Sequence, residues 1–212
     1  LKAGDEIIVS EMEHHSNMVP WQMCCDESGA KLKIIPINNN GELELDKFEK
    51  IISEKTKLVA ITHVSNSLGT INPVKKIIDL THKYKAKILI DGAQAAAHIK
   101  IDVQNLDADY YCFSAHKLYG PTGVGVLYGK ENLLNMLPPY QGGGEMIQEV
   151  TLSKTTYACL PHKFEAGTPN IAGVIAFKKA IEFINETTVE KIHEHEDFLL
   201  KHATKKMQEI EG

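Results

Sequence analysis

Short runs rich in Ile, Val and Leu recur at residues 7–10, 33–36, 57–62, 87–91, 110–114 and 124–128. They are nearly continuous rather than alternating, which predicts strands buried on both faces, as in a parallel sheet covered by helices. Between them, Val74, Ile77, Ile78 and Leu80 recur at helical spacing within residues 73–84, with Pro73 suited to a first turn. Residues 19–25 and 46–52 carry weaker helical patterns, and Gly29 and Gly41 fall where turns are expected. The fold class this implies is α/β, a mostly parallel sheet sandwiched by helices.

After Tyr128 the pattern changes. Pro138, Pro139 and the run Gly142, Gly143, Gly144 lead through polar residues to Pro161 and Pro169, a stretch that reads as a long functional loop region. Residues 171–184 and 189–210 then predict two long helices. Internal repeats and low-complexity tracts are absent.

Composition narrows the function classes. With 43% hydrophobic and 24% charged residues over 212 positions, the chain has the make-up of a globular domain, which excludes the disordered and fibrous classes. A net charge of -5 without a long basic run argues against nucleic acid as a partner. No apolar run approaches the roughly 18 residues of a membrane span. The expectation is a soluble protein that handles small molecules. The chain begins at Leu1 in mid-pattern without a leader-like segment, and is read as a fragment. Cys24, Cys25, Cys112 and Cys159 lack C-x-x-C spacing and read as reduced thiols, which favours the cytoplasm, with a plastid as the alternative. All 23 basic residues are Lys, so an Arg that might grip a substrate carboxylate is not in this segment.

In open α/β sheets ligands collect at the carboxyl ends of the strands. The residues that follow the predicted strands are rich in chemistry. They are Glu13-His14-His15, then His63 and Asn66, then Asp91-Gly92-Ala93-Gln94, then Ser114-Ala115-His116-Lys117. Such a rim suits a phosphorylated aromatic cofactor. Pyridoxal 5′-phosphate (PLP) needs a Schiff-base lysine and an acid beside its ring nitrogen, and Lys117 and Asp91 form the natural pair. Lys117 follows the apolar run 110–113, where desolvation can make its amine nucleophilic. Taken singly, each residue has a plainer reading. Lys117 could be a solvated surface lysine, Asp91 a helix N-cap with Gln94 completing a capping box, and His14 a polar loop residue.

Other signals point elsewhere. Gly120, Gly123 and Gly125 precede a predicted strand and read as a turn rather than a phosphate loop. His193 and His195 are two residues apart and cannot share a helix face, so with His202 they do not make a metal site. Lys201, Lys205 and Lys206 read as a solvated face.

The motifs Glu13-His14-His15-Ser16-Asn17, Thr62-His63-Val64-Ser65-Asn66, Asp91-Gly92-Ala93-Gln94, Ser114-Ala115-His116-Lys117-Leu118-Tyr119-Gly120-Pro121 and Phe164-Glu165-Ala166-Gly167-Thr168-Pro169-Asn170 resemble those of cysteine desulfurases in the class V aminotransferase family. The branch they resemble most is the SufS-type (group II), of PLP-dependent fold type I. The resemblance implies that Lys117 and His14 are catalytic. Lys117, Asp91, Gln94, His14, Ser114, His116 and Thr168 would bind PLP, and Asn66 would lie near the substrate carboxylate. Thr168 would reach the phosphate of a partner subunit, which implies a homodimer. The same resemblance assigns residues 1–185 to a PLP-binding large domain lacking its amino-terminal part. Residues 186–212 would form a helix leading towards an absent small domain that holds the sulfur-attacking cysteine and the carboxylate-binding Arg. The activity implied is conversion of L-cysteine to L-alanine, with sulfur passed as a persulfide to an acceptor protein for iron-sulfur cluster assembly. The 212 residues alone are expected to be inactive. The alternatives are a selenocysteine lyase acting on L-selenocysteine, another class V lyase or aminotransferase, and a non-catalytic scaffold.

Overall fold

A computed structural model describes residues 1–211. Six strands form one sheet: β1 (Glu6–Ser10), β2 (Lys31–Ile35), β3 (Thr56–Thr62), β4 (Lys87–Asp91), β5 (Tyr110–Ser114) and β6 (Gly125–Gly129). Their order is β2-β1-β3-β4-β5-β6, with every neighbouring pair parallel except the antiparallel β5–β6. The carboxyl ends of β1, β3, β4 and β5 therefore share one rim, and the strand order reverses beside β1, as ligand sites in such sheets require.

The apolar runs of β1, β3 and β4 become strands because their Ile, Val and Ala residues have a core to enter. In β1, Ile8 joins Val59, Ile61, Ile88 and Ile90 on one face, while Ile7 and Val9 join Ala60 on the other. On the first face lie α2 (Leu45–Ile51), through Phe48, and α3 (Val74–Lys83), through Val74, Ile77 and Ile78. On the second lies α1 (Val19–Ser28), through Cys25 with Trp21 and Cys24 packed against it. Burial of each of these Ile and Val side chains contributes about 1.5–3 kcal/mol against an exposed position. Burial on both faces does not extend to β2 and β6, where Lys31 and Gly125 are exposed and Ile34 is 43% exposed. They are the sheet's two edges, and each lacks a neighbour on one side.

The stretch after Tyr128, expected to be a loop region, carries more structure than that. It holds a short helix, Glu131–Met136, and a two-stranded hairpin, Ile147–Val150 with Thr155–Tyr157. Both hairpin strands are largely exposed, so they lack the apolar pattern that marks the sheet strands. A four-residue helix, Val103–Leu106, also had no apolar signal and is set by Asp102, whose carboxylate accepts from the N–H groups of Gln104 and Asn105. The two long helices are Ile171–Thr187 and Val189–Gln208, and the first packs Phe177, Ala180 and Ile184 against Ala115 and Leu118. No helix among the described residues is long and apolar enough to cross a membrane.

Candidate active site

At the rim, β5 ends at Ser114 and the chain turns at once through a 3-10 turn, Ala115–Lys117. The turn is anchored from below: Ala115 is fully buried and its N–H donates to the Val124 carbonyl at 3.0 Å. Its own carbonyl accepts from Leu118 and Gly120, both at 2.8 Å. Gly120 is needed here, because a Cβ would fall 2.7 Å from Phe177 and 2.9 Å from the Ala115 carbonyl oxygen. With Ala115 pinned, His116 and Lys117 project from the turn towards the rim.

Asp91 closes β4 and is 8% exposed. Its Oδ1 accepts from the Ala93 N–H at 2.9 Å, and its backbone carbonyl accepts from the His63 N–H at 2.8 Å. His14 lies in the turn after β1. Its Nδ1 accepts from the Ser16 N–H at 3.2 Å and lies 2.8 Å from Ser16 Oγ. A backbone N–H can only donate, so this bond places the ring proton on Nε2.

His14, Asp91, Ser114, His116 and Lys117 line a single cavity of about 470 Å³, together with Ser16, Asn17, Ala93, Cys112 and Phe113. Five of the eight residues anticipated from sequence thus meet in one place. Gln94 and Asn66 do not line it but bond to each other, the Gln94 amide nitrogen donating to Asn66 Oδ1. Thr168 is exposed and lies outside the cavity. A second cavity of about 490 Å³, lined by Ile99, Phe113, Tyr128, Ile184 and Val189 among others, gathers none of the eight.

Four side chains around the site were given no role from sequence. Glu13, 8% exposed, accepts from Ser10 Oγ, from the Thr62 N–H at 3.0 Å and from the Asn17 amide at 2.7 Å. Burial pushes its carboxyl up to about 7; the hydrogen bonds act against this and Asp91 adds to it. His63 is buried with Nδ1 2.9 Å from the Tyr111 hydroxyl, and burial holds its ring well below the ordinary histidine range, at about 4. The Tyr111 hydroxyl is itself pushed up by burial first and by Asp91 second. Cys112 lines the cavity, but burial, with Asp91, pushes its thiol up to about 12, so it stays protonated and unreactive at neutral pH. Their place just after β1 and β3 put Glu13 and His63 on the rim in the sequence, but their burial, which gives them their character, is not a local signal.

The whole sequence, residues 1–212, matches the model of the family described as aminotransferase class-V. The chain belongs to the class V aminotransferase family. A cysteine desulfurase of Cronobacter sakazakii is 51% identical over 211 residues, 99% of this chain and 52% of that protein. The apo structure of a cysteine desulfurase from Thermococcus onnurineus superposes with a TM-score of 0.94 at 38% identity, covering 99% of this chain and 52% of that one. A variant of C-DES, solved with glycine covalently linked to its PLP cofactor, superposes with a TM-score of 0.81 at 25% identity over 92% of this chain and 53% of that one. This class V chain spans about half the length of the curated relatives it matches.

Proposed function

We propose that the protein is a PLP-dependent cysteine desulfurase that takes L-cysteine to L-alanine and hands the sulfur to an acceptor protein. The observation that carries this reading is the convergence of a lysine and a carboxylate from adjacent parallel strands on one cavity, Lys117 from the turn after β5 and Asp91 from the end of β4. About 470 Å³ falls within the roughly 300–1,000 Å³ of small-ligand sites. The donor set fits PLP: an amine, a carboxylate with one oxygen held by Ala93 and the other left over, and a hydroxyl and an imidazole at Ser114 and His116.

When bound, PLP supplies an electron sink for charge that develops at the substrate α carbon. Lys117 would hold the group covalently through Nζ and, once displaced by the substrate amine, would move the α proton. Asp91 would hold the proton on the ring nitrogen. His14, with its proton on Nε2, would lie against the ring, while Ser114 and His116 would take the phosphate. Gln94 and Asn66, joined to each other, would turn towards the ring hydroxyl and the substrate carboxylate respectively. Thr168 would serve the phosphate of a second subunit in a homodimer. The reading includes the SufS-type branch, a role in supplying iron-sulfur cluster assembly, and residues 1–185 as a PLP-binding large domain with 186–212 leading to a further one.

The test is release of alanine from L-cysteine by the intact protein with PLP, with added thiol as the reductant that frees the transferred sulfur as sulfide, compared with release of alanine from L-selenocysteine. Turnover of cysteine that disappears in Lys117→Ala is expected. Turnover of selenocysteine alone would make the protein a lyase for that substrate, and loss of neither activity in Lys117→Ala would overturn the site.

A further inference from the structure

The turn that carries His14 is tied down by a buried chain of polar groups whose directions are fixed. The Trp21 indole N–H, which can only donate, gives its hydrogen bond to Asn17 Oδ1 at 3.1 Å. That sets the Asn17 amide, so its nitrogen donates to Glu13 Oε2 at 2.7 Å. On the other oxygen, the Thr62 backbone N–H donates to Oε1 at 3.0 Å, and the Ser10 hydroxyl bonds to it as well. Both oxygens of Glu13 must therefore accept. Through them one side chain joins the end of β1 at Ser10, the end of β3 at Thr62 and the start of α1 at Trp21. Asn17 also lines the cavity, and Thr62 pairs in register with Asp91.

His14 sits between the two anchored ends of this arrangement. Its neighbour Glu13 is clamped on one side, and the 3-10 turn His15–Asn17, whose Ser16 N–H donates to His14 Nδ1, is clamped through Asn17 on the other. We propose that Glu13 is a positioning residue for His14, its carboxyl group locking the turn after β1 to β3 and α1 so that the imidazole is held over the cavity in one tautomer. The inference rests on the reading of this cavity as a PLP site, but the geometry it describes does not need the cofactor.

Glu13→Gln keeps the size of the side chain and removes the pattern. An amide has one accepting and one donating end. Either its nitrogen faces the Asn17 nitrogen or it faces the Thr62 N–H, and one buried donor is left unpaired in both orientations. Trp21→Phe acts at the far end of the chain, releasing Asn17 to turn over, and touches neither the cavity nor Glu13.

Two readouts are taken on the intact protein. The first is the nitrogen-15 NMR spectrum of the His14 ring without PLP, assigned with a His14→Gln variant. Wild type is expected to show Nδ1 unprotonated and Nε2 protonated, and both Glu13→Gln and Trp21→Phe to show a mixture of tautomers. The second, on the holoenzyme, is kcat against KM for cysteine. Displacement of a positioned group by about an ångström costs on the order of 10²-fold in rate. Glu13→Gln should therefore lose kcat on that scale while KM moves by less than about threefold, and Trp21→Phe should lose a smaller fraction of kcat. A lowered melting temperature with an unchanged His14 tautomer in both variants would reduce Glu13 to a merely structural residue and overturn the proposal. If Glu13→Gln does not fold, the tautomer in Trp21→Phe decides alone. A wild type that neither binds PLP nor turns over cysteine would refute the desulfurase reading and leave the NMR result standing on its own.

Discussion

Gly92 lies flat against the ring of Tyr111: a Cβ at position 92 would fall 2.0 Å from Tyr111 Cε1 and 2.4 Å from its hydroxyl. Tyr111 is 1% exposed and bonded through that hydroxyl to His63, whose own N–H holds the Asp91 carbonyl. The ring has nowhere to retreat, so the residue after Asp91 cannot carry a side chain while Asp91 keeps its place. Gly92→Ala should destabilise the protein by about 1–3 kcal/mol through overpacking. It should also weaken PLP binding, because the residue that must shift adjoins Asp91. Thermal unfolding and titration of the apo protein with PLP check the two effects.

Two buried groups push the pH dependence of stability in opposite directions. Glu13, raised from 4.5 to about 7 in the fold, contributes stability that is complete below about pH 4.5 and lost as pH rises to about 7. His63, lowered from 6.5 to about 4, contributes stability that is present above about pH 6.5 and lost as pH falls to about 4. Each effect is on the order of 3 kcal/mol over its window, and they nearly cancel where the windows overlap. Glu13→Gln should leave a protein that loses stability on acidification from about pH 6.5. His63→Gln should leave one that loses stability as pH rises towards about 7. Melting temperatures across this range separate the two, and parallel curves for both variants would contradict the assignment.

Asp91→Asn isolates the charge of Asp91 from its shape. The Ala93 N–H can still be accepted by an amide oxygen, so folding stability should stay within about 1 kcal/mol of wild type. Turnover should nevertheless fall by about 10²–10⁴-fold, the range for a positioned acid–base group. Lys117→Ala should abolish both turnover and the visible absorbance of the bound cofactor. An Asp91→Asn protein with wild-type turnover would remove Asp91 from the chemistry.

At the opposite end of the strands, Asp109 is 2% exposed and accepts from Lys130 at 3.0 Å, His82 Nε2 at 3.1 Å and the Ile88 N–H at 3.1 Å. Asp109→Ala leaves the buried Ile88 N–H without its acceptor, while Lys130 keeps its pair with Asp107 at 2.6 Å, and should cost about 1–3 kcal/mol. Because Asp109 precedes β5 and the cavity follows it, the spectrum of bound PLP should be unchanged in whatever fraction stays folded. Chemical denaturation and absorbance on the same sample test both statements.

The sheet and the candidate residues were largely legible in the chain. The strands at 87–91 and 110–114 fall where the apolar runs place them, since a strand covered on both faces carries apolar residues at neighbouring positions rather than alternate ones. Edges write less: β2 starts two residues earlier than its apolar run, at the exposed Lys31, which resembles loop. The hairpin Ile147–Val150 with Thr155–Tyr157 left no signal because its side chains are mostly in water.

By itself the sequence determined the buried strands and long helices, their order, and that Asp91 ends one strand while Lys117 follows another, because periodicity and strand ends are local properties. Only the tertiary structure decided which of these residues meet. The Glu13 bond to Thr62, the His63 contact with Tyr111 and the Gln94 bond to Asn66 join residues 49, 48 and 28 positions apart. Such pairs depend on strand order and register, which set which carboxyl ends are neighbours. They depend also on desolvation, which turns an ordinary glutamate, histidine and cysteine into groups at about 7, about 4 and about 12.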